Sequence, residues 1–192
     1  MSLSLNNIDK SFGSIKVLNN INIQSHGKEC LGIIGPNGAG KSTLFKVISG
    51  NLKQDKGDIY FNSLNINNLN INKRARLGIS QSFQKNSLFL EMTVKESIML
   101  ALSHKYKITF KMLNSLINNK AINNDAIEIA KDTGLLDYFD TKSDNLSYGL
   151  QRQLELGIAI SCSPKLLLLD EPTAGMSPAE TKEIIKLIKK LS

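Results

Sequence analysis

The sequence predicts an α/β fold, and three observations carry that reading. Short apolar runs of strand length alternate with segments whose apolar residues recur at helical spacing. A glycine-rich loop, 35–40, joins one such run to a helix. From about residue 88 to 160 the pattern turns helical, so a block of helices is inserted into a core of strands and helices. With 192 residues, 41% of them hydrophobic and 21% charged, the chain suits one compact domain with ample material for a core. No apolar run approaches the roughly 20 residues of a bilayer-spanning helix. Met1 to Lys10 lacks the apolar centre of a signal peptide, so secretion is not expected.

The elements follow in order. Leu3 to Asp9 alternates between apolar and polar residues and reads as a strand, and Val17 to Ile23 as a second. Cys30 to Ile34 is fully apolar and is expected as a central strand. A helix is expected from about Lys41 to Ile48, stopped near Gly50. Asp58 to Phe61 and Gly78 to Phe83 are two further strands, with the Asn-rich stretch 65–72 working as a loop. Thr93 and Glu96 form a capping box ahead of Ile98, Met99, Ala101 and Leu102. Residues 109–124 read as helical without clear limits, and another helix runs from about Asp125 to Thr133, ending on Gly134. Ser147 opens a helix bearing Leu150, Leu154 and Ile158. Lys165 to Asp170, four leucines bounded by Pro164 and Pro172, fits a buried parallel strand. Ser177, Pro178 and Glu180 supply N-cap, N1 and N3 of a last helix.

The charge and the cysteines narrow the class. A net charge of +7 points toward nucleic acid or an anionic membrane. Almost all of it is lysine, however, with arginine only at 74, 76 and 152, and Asn and Ile are abundant. That is the mark of an AT-rich genome spread over a surface, and no nucleic-acid partner is expected. Cys30 and Cys162 both sit in apolar runs and are expected as buried thiols rather than a disulfide.

Chemistry concentrates in two places. Gly35, Pro36, Asn37, Gly38, Ala39, Gly40, Lys41 and Ser42 fit G-x-x-x-x-G-K-[ST], the P-loop, with a strand before it and a helix after. Glycines let backbone N–H groups curl around phosphate, and the new helix aims its positive end at the same place. Lys41 would neutralise the β- and γ-phosphates, Ser42 would ligate Mg²⁺, and Thr43 completes the nucleotide-binding turn. Asp170 and Glu171 close the leucine strand, at the carboxyl edge where parallel sheets bind ligands. Asp170 is placed to hold the Mg²⁺ shell and Glu171 to polarise the attacking water.

Between these two lies Leu146, Ser147, Tyr148, Gly149, Leu150 and Gln151. It resembles the LSGGQ signature of the ATP-binding subunits of ABC transporters, and its order along the chain matches theirs. The resemblance covers nearly the whole chain. It implies a P-loop NTPase of the ABC ATPase type: a RecA-like parallel core, an N-terminal antiparallel β subdomain and an inserted helical subdomain. Residues 1–87 and 161–192 would form the nucleotide-binding core and 88–160 the helical subdomain. It also implies that Gln84 is the Q-loop glutamine, linking Mg²⁺ and the attacking water to the lobe that meets the transporter, with Gln81 as a rival. Phe12 lies where the family stacks an aromatic ring on adenine. Ser177 departs from the family, which places an aspartate there.

The segments around Gln81, Leu88, Met92, Leu154 and Thr173 are similar to those of importers for branched-chain amino acids, amides or urea. Such an ATPase pairs with membrane permease subunits on the cytoplasmic face of the inner membrane and works indirectly with an external solute-binding protein. One ATP site would need two chains, with Ser147 and Gly149 of a second subunit facing the γ-phosphate. The helix at Ser147 is expected to present an anion site with no anion of its own. Two other readings compete: a soluble ABC-type ATPase acting on DNA or ribosomes, and a nucleotide-gated dimerisation module with little turnover. The last helix runs into Ser192 with no cap, and the family's next strand and switch histidine do not follow. Early termination at the C-terminus, and slow hydrolysis with it, is therefore expected.

Overall fold

The computed structural model describes residues 1–81, 88–106 and 119–191. They form two compact units, Met1–Gln81 and Ser82–Leu191.

In the first unit, β1 (Ser2–Phe12) and β2 (Ile15–His26) form a hairpin. Its turn passes through Gly13, whose φ of 59° suits a residue without Cβ. β3 (Lys56–Phe61) pairs with the other edge of β1, and the two-residue β4 (Leu64–Asn65) pairs with β3. All pairings are antiparallel, in the order β2-β1-β3-β4, as the antiparallel N-terminal subdomain requires. Leu3 and Leu5 point to the buried face by simple alternation. Register shifts after Leu5 bring Ile8 to the same face, and Asn7 in that stretch takes a φ of 52°. Asn tolerates the left-handed region where most side chains do not. Opposite this irregularity, Gly57 has no room for a Cβ, which would run into the carbonyls of Asn6 and Asn7.

α1 (Lys41–Ser49) buries Leu44, Val47 and Ile48 and stops at Gly50, which has a φ of 83°. α2 (Ile71–Arg76) was not legible in the Asn-rich stretch. It begins within it, because Asn70 caps the helix by accepting from the Lys73 N–H at 3.0 Å. Its Arg74 is 1% exposed. The guanidinium donates to the carbonyls of Val47 at 2.7 Å and Ile48 at 2.9 Å, and Nε donates to Leu69 at 2.9 Å. A cation thus satisfies the C-terminal carbonyls of α1, which carry the negative end of its dipole. β5 (Ile79–Gln81) follows.

The second unit is built on α3 (Val94–Lys105), α4 (Lys120–Asp132) and α5 (Tyr148–Ser161). Val94, Ile98, Leu102, Ile122, Ala126 and Leu154 fill its core. The Thr93–Glu96 capping box forms: Thr93 N–H donates to Glu96 at 2.8 Å and Glu96 N–H donates to Thr93 Oγ1 at 3.1 Å. α4 starts five residues before the sequence expectation because Asn119 caps it, accepting from Ala121 and Ile122. β6 (Leu166–Leu168) and α6 (Pro178–Leu191) complete the unit, with Ile184 and Leu187 of α6 packed with Leu156 of α5.

Two expectations fail. Cys30 to Ile34 is not a strand: no described strand pairs with it, and Ile34 is 97% exposed. Apolar composition makes a central strand only where neighbours on both edges take its backbone hydrogen bonds. The cysteines are free as expected, but both are exposed rather than buried: Cys30 shares the exposure of its run, and Cys162 lies at the C-terminal end of α5.

Candidate functional site

The P-loop lies in the first unit, between β2 and α1. Gly38 and Gly40 hold φ values of 82° and 92°, a conformation that disfavours any other residue. Gly40 has a second reason to lack a side chain, since a Cβ there would stand 3.0 Å from the Val17 carbonyl oxygen and from Leu18. The loop closes with Ala39 N–H donating to the Pro36 carbonyl at 3.2 Å, and α1 starts with Leu44 N–H on the Gly40 carbonyl at 2.8 Å. Lys41 Nζ folds back over this loop, donating to the carbonyls of Gly35 at 2.7 Å and Pro36 at 2.9 Å. The ammonium is therefore held at the mouth of the loop. α1 has no side-chain N-cap bond and no acidic residue in its first turn. Its leading N–H groups, with Lys41 beside them, make a cradle for an anion supplied from outside. Gly35, Pro36, Asn37 and Ala39 are exposed around it, and Ser42 and Thr43 stand in the first turn.

Phe12 ends β1 and is half exposed, with Lys10 Nζ 5.8 Å from its ring centroid. Gln84 lies outside the described residues.

The other predicted site residues belong to the second unit. Asp170 is buried, 7% exposed, two residues beyond β6. Glu171 next to it is exposed and takes a φ of 48°. A glutamate in the left-handed region is strained, and such strain gathers at sites that must aim a side chain. The chain then turns back, with Ala174 N–H on the Glu171 carbonyl at 3.1 Å. Ser42 in the first unit and Asp170 in the second each offer a hard oxygen donor. The described residues contain no cluster of three or more His, Cys, Asp or Glu side chains that could hold a metal ion.

Ser147 caps α5 as predicted, its side chain accepting from the Leu150 N–H at 3.4 Å. What the sequence did not reveal is how this end of α5 is covered. Tyr148 OH donates to the Ala174 carbonyl at 3.1 Å and accepts from Arg152 Nη2 at 2.8 Å. Arg152 in turn pairs with Glu155 at 2.6 Å and lies 5.2 Å from the Tyr148 ring. Glu180, three residues into the last helix, lies directly against Gly149. A Cβ on that glycine would fall 2.5 Å from Glu180 Oε1. The same carboxylate accepts from Ser177 N–H at 2.9 Å and Ser177 Oγ at 2.7 Å. Those Ser177 bonds hold the carboxyl of Glu180 below its ordinary range, with a smaller contribution from the Gly149 N–H.

The expectation of an anion site with no anion of its own at Ser147 is therefore corrected. Glu180 reads in the sequence as the N3 partner of Ser177, and that role is real. Nothing in a linear pattern ties it to Gly149, and only the packing of α5 beside α6 does.

The sequence profile of the ABC transporter family matches residues 18–174. The chain is 36% identical to the high-affinity branched-chain amino acid transport ATP-binding protein LivG of Escherichia coli K12, over 98% of its length and 76% of that protein's. It is also 32% identical to the lipopolysaccharide export system ATP-binding protein LptB of Haemophilus influenzae, over 98% and 75%. Among solved structures it resembles an ATP-binding cassette in its ADP conformation, with TM-score 0.83, 34% identity, and coverage of 100% and 77%. A dimeric cassette in a post-hydrolysis state bound to ADP and Pi aligns with TM-score 0.81 and 27% identity, over 98% and 82%.

Proposed function

We propose that this chain, which belongs to the ABC transporter family and is an ATPase of it, powers import through a membrane permease at the cytoplasmic face of the inner membrane. The observation that carries the nucleotide site is the open N-terminus of α1 beneath a lysine already held over the loop. No described helix is long and apolar enough to cross a membrane, and in this reading partner subunits carry out translocation. Likeness to LivG favours branched-chain amino acids, with amides or urea as the neighbouring classes, as solute. An external solute-binding protein would deliver that solute.

The division of labour follows from residue chemistry. Loop N–H groups 37–42 and Lys41 take the triphosphate and offset its charge. Mg²⁺, held by Ser42, Asp170 and Gln84, would neutralise charge on the β- and γ-oxygens. Phe12 would stack on adenine. Glu171 accepts a proton from the attacking water, whose oxygen bonds to γ-phosphorus as the bond to the β-bridging oxygen breaks. ADP and phosphate leave. Ser147 and Gly149 of a second ATPase subunit would complete the γ-phosphate's surroundings, so that ATP belongs to the dimer interface and hydrolysis opens it.

The deciding experiment is co-expression with a candidate permease, followed by reconstitution into vesicles. Uptake of labelled leucine that requires both ATP and this chain supports the reading. Copurification with a permease that moves solute outward, or activity tied to DNA or ribosomes alone, overturns it.

A further inference from the structure

We infer that Glu180 is an internal stand-in for phosphate at the N-terminus of α5, and that a nucleotide arriving from a second subunit must displace it. The inference rests on the reading above that the end of α5 at Ser147 and Gly149 meets another subunit's γ-phosphate.

Helix N-termini favour negative charge because their leading N–H groups lack partners and the dipole is positive there. Gly149 stands in the first turn of α5, and its missing side chain is what lets a carboxylate sit on the helix end. Glu180 is held there by Ser177, which donates two hydrogen bonds to Oε2 and leaves Oε1 against Gly149. Tyr148 ties the same helix end to the Ala174 carbonyl, so the start of α5 is clasped at two points within one chain, by the turn after Glu171 and by Glu180 of α6. Two anions cannot share that end of α5: phosphate placed at Gly149 would meet the Glu180 carboxylate at contact distance.

The carboxylate has somewhere to go. A cavity of about 700 Å³ borders it, lined by Ser147, Gly149, Gln153, Glu180 and Lys182. Lys182 supplies a cation on the same helix, and the buried Gln153 Oε1 has no hydrogen-bond partner. Free subunits are thus kept from pairing through this face until ATP supplies a stronger anion than Glu180. Glu183 also lines the cavity, so the retreating carboxylate is drawn to Lys182 rather than further along the helix.

Glu180→Gln tests this. Glutamine keeps the capping box with Ser177 and the shape of the side chain, and removes only the charge. The full chain carrying Glu171→Gln is titrated with ATP and Mg²⁺ under light scattering, with and without Glu180→Gln. Loss of the competing charge should lower the ATP concentration for half-maximal dimerisation about two- to fivefold, the fold-change of a single charge at a helix end. Ser177→Ala removes one of the two bonds that hold Glu180 while retaining the carboxylate, and should give a smaller gain than Glu180→Gln. In the free chain, the Gly149 amide resonance should move with the titration of the Glu180 carboxyl.

A Gly149 resonance indifferent to that titration overturns the inference, as does a midpoint unchanged or raised by Glu180→Gln when the parent forms an ATP dimer. A parent that binds ATP without dimerising overturns the two-subunit reading, and this inference with it, even if Gly149 follows Glu180.

Discussion

Two helices of this chain begin at residues proposed for the nucleotide site, and their ends are finished in opposite ways. α1 opens from a glycine loop with no capping side chain and no acidic residue in its first turn. α5 opens from Ser147, which caps it, and carries Glu180 against its first turn. The physics at the two ends is the same, since the leading N–H groups of each helix have no partner within the helix and the dipole is positive there. The difference is who supplies the anion. At α1 it must come from outside, which suits a site that holds nucleotide through the cycle. At α5 the chain supplies its own, which suits a site that should engage nucleotide only when two subunits meet.

The largest expected effect comes from holding both ends on one triphosphate. Glu171→Gln removes the base while keeping shape, and should cut ATP hydrolysis about 10²- to 10⁴-fold, the range for loss of a positioned general base. Nucleotide affinity should stay within about twofold, because the P-loop is untouched. Single-turnover hydrolysis with a parallel binding titration checks both. Near-normal turnover would remove Glu171 from the role given to it and leave its strained backbone unexplained.

Breaking the open end is next in size. Lys41→Ala deletes a cation that here donates to two carbonyls of the loop and would exchange them for phosphate. Charge-assisted hydrogen bonds are worth about 1.5–3 kcal/mol, so nucleotide affinity should fall roughly 10- to 150-fold. Isothermal titration with ATP and Mg²⁺ measures it. An affinity that survives would mean that the backbone N–H groups of α1 hold the phosphates without the lysine.

The occupied end is broken by adding one carbon. In Gly149→Ala the new Cβ would fall 2.5 Å from Glu180 Oε1 and 2.9 Å from its Cδ and Cγ, so the carboxylate has to leave. Overpacking of this kind costs about 1–3 kcal/mol unless the neighbour moves freely. The thermal midpoint should drop by several degrees. Pairing with Glu180→Ala should recover the loss, and a double variant no more stable than Gly149→Ala would show that the glycine is needed for some other reason.

How much of this was legible in the sequence divides along the same line. The open end was, because a P-loop is a local pattern whose glycines, lysine and following helix are consecutive. The Thr93 and Ser177 capping boxes were legible for the same reason, each being complete within four residues. Arg74 was not, since its use depends on the carbonyls of Val47 and Ile48 far back in the chain. The run at Cys30 misled because apolar content records a preference for burial, and partners decide whether a strand forms. Glu180 lay between these cases: its bond to Ser177 was visible, and its seat on Gly149 required the crossing of two helices.

The smallest predicted effect concerns acid. The carboxyl of Glu180 is held below its ordinary 4.5 chiefly by Ser177 and to a lesser degree by the Gly149 N–H. A carboxyl with a lower pKa folded than unfolded binds fewer protons in the native state, so stability rises with pH across that interval. The contribution is therefore fully present above about pH 5 and is lost as pH falls through the folded value. Because the group is only half-buried, the effect is small and is best seen as a difference. Thermal midpoints of the wild type and Glu180→Gln, followed downward from pH 7, should differ most at neutral pH and converge as pH falls through the folded value. α1 has no acidic residue in its first turn, so its end contributes no such slope. A constant gap between the two proteins across that range would mean that Glu180 matters at α5 through its shape alone, and the contrast between the two helix ends would lose its electrostatic basis.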